Sequence, residues 1–106
     1  MKLLFKTTNS TTLRNDIIKL IEDGKLQTWE IHNESNEKYL KHIGQWGDKG
    51  VIKLVINNDK NDLGVIVLKF KNITEDVDGF EGYYLGRFCE LMFVNFPNRF
   101  RTIDKE

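Results

Sequence analysis

Residues 51–70 read Val-Ile-Lys-Leu-Val-Ile-Asn-Asn-Asp-Lys-Asn-Asp-Leu-Gly-Val-Ile-Val-Leu-Lys-Phe, and this stretch decides the fold. Two apolar, β-branched runs, 51–56 and 65–70, flank a run of Asn, Asp and Lys. β-Branched side chains suit a pleated, half-buried surface, and Asn and Asp suit turns, so the stretch predicts an antiparallel hairpin. Alternation puts Ile52, Leu54 and Ile56 on one face of it. Ile66, Leu68 and Phe70 are the expected partners on that face, with Lys53, Lys69 and Lys71 on the wetter one.

Upstream, residues 2–7 read as a short strand. Asn9, Ser10, Thr11 and Thr12 all favour a helix N-cap, and Leu13, Ile17, Leu20 and Ile21 then recur at helical spacing. Gly24 sits where a left-handed residue closes a helix, which predicts a helix over about 11–23. Leu13, Ile17 and Ile21 are expected to cover the sheet. From Leu26 the period changes to two, with Trp29 and Ile31 on one face and Thr28, Glu30 and His32 on the other. A polar turn over 33–37 and a short strand over 39–43 follow. Gly44-Gln45-Trp46-Gly47-Asp48-Lys49-Gly50 is a loop with three glycines.

Downstream, Asp78-Gly79-Phe80-Glu81 has the spacing of a capping box, with Asp as the cap. A second helix is expected over 80–95, stopped before Pro97, with a last short strand over 100–103. The reading is a single α+β domain over 1–106. Its antiparallel sheet has about four to six strands with two helices packed on one face, in the order β-α-β-β-β-β-α(-β).

The second helix is unusual. The chain has twelve aromatic residues, and six of them lie between Phe80 and Phe96, so apolar side chains point to nearly every side. A surface helix normally shows one apolar stripe and one polar face. This one is expected to need cover on two sides. Gly82, Gly86 and Cys89 form a strip of small residues that another backbone can approach closely, either this chain's own sheet or a second chain. Phe93 shares that side and is the expected contact residue. Arg87 and Glu90, three residues apart, can pair with each other or form a charged pair in a pocket.

Composition narrows the function classes. Sixteen basic residues balance sixteen acidic ones, which removes the simplest argument for nucleic acid. No apolar run reaches the roughly 20 residues of a membrane span, and the opening Met-Lys-Leu-Leu-Phe turns polar at Lys6 without a signal peptide's apolar region. A single cysteine, Cys89, cannot form an internal disulfide, so a reducing, cytoplasmic setting is expected. His32, His42 and Cys89 follow no metal-binding spacing, and neither a metal nor another cofactor is expected. Cys89 lies among large apolar residues, where an inert buried thiol is expected rather than a nucleophile paired with His42.

Two further clusters stand out. His42, Gln45, Trp46 and Lys49 are close in sequence, and Trp46 either stands exposed as a contact residue or folds back to cap the core. Arg99-Phe100-Arg101 flanks a ring with cations, a pairing that suits phosphate and base stacking or a solvated edge strand. Acidic residues Glu75, Asp76, Asp78 and Glu81 sit where a helix dipole stabilises them. The expected function is stoichiometric protein binding by a small bacterial-type domain of the immunity-protein, inhibitor or adaptor kind. The partner is a protein or a second copy, with a homodimer favoured. One alternative is a single-stranded nucleic-acid module using Trp46, Lys49, Lys53, Arg99 and Arg101. Another is a small enzyme using His42, Arg87 and Glu90.

Overall fold

A computed structural model describes residues 1–44, 46–73 and 79–106. The elements are β1 (Lys2–Lys6), α1 (Ser10–Glu22), β2 (Trp29–Glu34), β3 (Glu37–His42), β4 (Gly50–Asn57), β5 (Asp62–Lys69), α2 (Phe80–Asn95) and β6 (Ile103–Lys105). All strand pairs are antiparallel, in one sheet of order β2-β3-β4-β5-β1-β6. Both helices bury side chains in the same core as the inward residues of the sheet. The expected α+β architecture and element order are present.

Local chemistry explains the boundaries. The Asn9 side chain accepts a hydrogen bond from the Thr12 N–H (3.0 Å), which caps α1. Gly24, at φ 73°, takes the left-handed conformation that closes the same helix. Ser35 and Asn36 both have positive φ and join β2 to β3 in a two-residue hairpin, tighter than the turn expected over 33–37. The cap of α2 differs from the sequence expectation. The cap residue is Gly79, left-handed at φ 75° and without a side-chain hydrogen bond. Asp78, the expected cap, lies outside the described residues, as do Glu75 and Asp76.

The hairpin is present, but β5 has the opposite phase to the one expected. Ile52 faces Val67, Leu54 faces Val65, and Ile56 faces Leu63. The core face of β5 is therefore Leu63, Val65 and Val67, not Ile66, Leu68 and Phe70. Leu68 is 38% exposed, and Phe70 rests half-buried against the His32 ring. Ile56 keeps the inward phase, but it lies at the turn end and is 40% exposed. The physical reason is that both alternating sets of β5 are apolar, so alternation selects neither. The strand also begins at Asp62, three residues before the expected start, because Gly64 lies within it instead of in the turn.

Ser10 ties α1 to this hairpin. Its hydroxyl donates to the Asn58 side-chain oxygen (2.8 Å) and accepts from the Asn57 N–H (3.1 Å). A fully buried hydroxyl is thus satisfied, as burial requires.

Candidate contact surface on the second helix

Helix α2 buries Phe80, Tyr84, Leu85, Phe88, Leu91 and Met92, which recur at spacings of one, three and four residues and line one face. Within this face Tyr84 is fully buried with both polar roles used. Its hydroxyl accepts from the His42 N–H (3.0 Å) and donates to the Gly50 carbonyl (2.8 Å). Burial pushes its pKa up to about 12, opposed by that hydrogen bond from His42. This phenol fixes α2 to the end of β3 and the start of β4. Gly47 is required close by, since a Cβ there would strike the His42 carbonyl.

The opposite face of α2 carries Gly82, Tyr83, Gly86, Arg87, Glu90, Phe93 and Val94, all exposed. Tyr83 is 60% exposed, Phe93 58% and Val94 72%. Among the described residues, the chain covers α2 on one side only. The two glycines of the small-residue strip meet no other described residue, because a Cβ on Gly82 or Gly86 would find no atom within 4 Å, whereas Cys89 packs against the core. Helical glycine costs about 1 kcal/mol relative to alanine, and packing within the chain does not account for that cost here.

The exposed rings are braced from beneath. Tyr83 stacks on Trp46 at 5.2 Å with planes 4° apart, and Phe93 meets the Phe100 ring edge-on at 5.6 Å. Trp46 itself is only 8% exposed and belongs to the core. Of the two positions expected for it, the structure has the buried one. Its ring, with Gly82, Tyr83, Gly86 and Arg87, lines an open groove of about 480 Å³. The missing side chains of the two glycines form the floor of that groove.

The other expected site residues divide among several places. Arg87 and Glu90 pair with each other at 3.6 Å on the surface of α2. His42 is half-buried, edge-on to Trp29 at 5.1 Å, and its buried Nδ1 has no hydrogen-bond partner among the described residues. Burial lowers its pKa, the Arg87 charge adds to the fall, and Glu90 opposes it. His42, Arg87 and Glu90 are thus near enough for both surface charges to act on the imidazole. Cys89 is half-buried, and burial pushes its thiol up. Arg99 is held by Asp16 of α1 at 2.8 Å, whereas Arg101 lies exposed at the far end of β1. Lys53 lies on the sheet face opposite the helices, paired in register with Ile66. Lys49 follows Trp46 in the loop, and its backbone carbonyl accepts a hydrogen bond from the Phe70 N–H (2.9 Å). Gln45 lies outside the described residues.

Tyr83 and Val94 were not among the residues expected at the surface contact, although the signal existed. At 100° per residue Tyr83 and Val94 lie within about 20° of each other, outside the arc of the buried set. Among the described residues, no helix is long and apolar enough to cross a membrane, and no three potential metal ligands converge. Comparison with protein-family models, with curated proteins and with solved structures gave no match.

Proposed function

We propose that this protein acts by stoichiometric protein contact through the outward face of α2, and that it does so as a homodimer. The observation that carries the proposal is that face itself: two braced, exposed rings beside two glycines that pack on no other described residue. Preorganised aromatic side chains are the usual anchors of protein interfaces, because little side-chain entropy is lost when they bind.

The same face suits a second copy. In an antiparallel helix pair related by a two-fold axis level with the midpoint between Phe88 and Cys89, residues equidistant from that level meet across the axis. Tyr83 then meets the partner's Val94, and Arg87 comes opposite the partner's Glu90. A ring meets an aliphatic side chain and unlike charges meet. Tyr83 and Val94 lie about 16 Å apart along the helix, a contact of three turns. The role is binding, of the inhibitor, adaptor or immunity-protein kind, in a reducing compartment such as the cytoplasm, which suits a lone half-buried thiol. The enzyme reading draws less support, since Arg87 and Glu90 satisfy each other at the surface and His42 packs against Trp29.

Charge reversal tests the arrangement. Arg87→Glu and Glu90→Arg should each abolish self-association, because each places like charges across the axis. Mixing the two variants should restore a heterodimer. Association that survives both reversals, or a mixture that stays monomeric, would count against it.

A further inference from the structure

We propose that a recess at the end of β1, lined by Lys6, Lys60 and Arg101 with Thr7, Asn61 and Thr102, binds the phosphate group of a small ligand. It is a site separate from the contact face of α2. Three chain segments build the recess: the end of β1, the β4–β5 turn and the stretch before β6. Backbone hydrogen bonds hold them together. Thr7 N–H donates to the Asn61 carbonyl (2.9 Å), Lys6 N–H to the Thr102 carbonyl (3.0 Å), and Arg101 N–H to the Lys6 carbonyl (2.8 Å). The volume of about 250 Å³ suits a phosphate group and a few attached atoms.

Its charge is unbalanced in a chain that is neutral as a whole. Lys6 is partly neutralised by the buried Asp62 carboxylate at 3.3 Å. Lys60 and Arg101 form no ion pair with any described residue, and no acidic side chain lines the recess. Most other cations near the helices are paired: Lys19 with Asp23, Lys38 with Glu22, Arg87 with Glu90 and Arg99 with Asp16. Two uncompensated cations match the charge of a phosphate dianion. The guanidinium supplies a planar fork, the ammonium a point charge, and the threonine hydroxyls and Asn61 amide supply neutral donors to the remaining oxygens. A long nucleic acid would need a continuous basic track, and the neighbouring Arg99 is already held by Asp16.

Inorganic pyrophosphate provides the probe, followed by amide NMR at fixed ionic strength. Saturable shifts should appear at Thr7, Asn61 and Thr102. Lys60→Gln and Arg101→Gln should each weaken binding by about tenfold, a loss of about 1.4 kcal/mol, while Lys25→Gln at the far end of α1 leaves it unchanged. Shifts equal to those from chloride at the same ionic strength would overturn the proposal. So would tighter binding of a single-stranded oligonucleotide, with shifts spread over the sheet face, which would assign the cations to nucleic acid.

Discussion

Helices α1 and α2 lie on the same sheet and bury comparable inner faces, yet their outer faces differ. Outward residues of α1 are polar and engaged in ion pairs: Lys19 with Asp23, Glu22 with Lys38, and Asp16 with Arg99. Outward residues of α2 are two glycines, two large rings and a valine, with one ion pair among them. Folding requires only the inner faces. On the proposed reading, what α2 carries on its outer face serves association and not the core. An apolar surface next to water costs roughly 25 cal/mol per Å² relative to a covered one, which a second protein removes.

The largest effects should fall on the shared inner layer. Ile17→Ala in α1 and Leu63→Ala beneath it should each cost about 2–5 kcal/mol in urea unfolding, as large-to-small core changes do. Leu68→Ala, on the other face of the same strand, should cost less than about 1 kcal/mol. Equal losses at Leu63 and Leu68 would break the register on which both helices rest.

A second variant separates folding from association. Gly86→Ala adds a methyl group where the structure has open space. Alanine favours a helix over glycine by about 1 kcal/mol, so the monomeric state should melt at a higher temperature. On the proposed reading association should weaken in the same variant, because the added Cβ narrows the groove that a partner helix would approach. A variant more stable and equally associated would detach the glycines from the interface.

The smallest effect concerns His42. Its pKa is lowered in the folded chain, first by burial and then by Arg87. The unfolded chain takes up a proton below the ordinary value of 6.5, while the folded chain resists it. Stability should be fully present above that value and fall as pH drops through the window below it. His42→Gln should flatten this slope, and an unchanged slope would assign it to another group.

Much of the architecture was legible in the sequence because its signals were local. The Asn9 cap, the period of Leu13, Ile17 and Ile21, and the left-handed Gly24 each have a short-range cause. The phase of β5 was not legible, because Ile66 and Leu68 are as apolar as Val65 and Val67 and only the sheet decides between them. For the site, the small strip and Phe93 were readable from helical spacing. The burial of Trp46 beneath Tyr83 was not, since a loop among glycines places no constraint on where its ring rests. Arg99 and Arg101 look alike in sequence, and only the approach of Asp16 from α1 distinguishes them.

Sedimentation of the native chain and of Phe93→Glu at micromolar concentration tests the contact face most directly. The native chain should give a mass near twice its 12.5 kDa, and the variant a mass near 12.5 kDa with an unchanged circular dichroism spectrum. A native chain that stays at 12.5 kDa at every concentration would contradict the self-contact of α2.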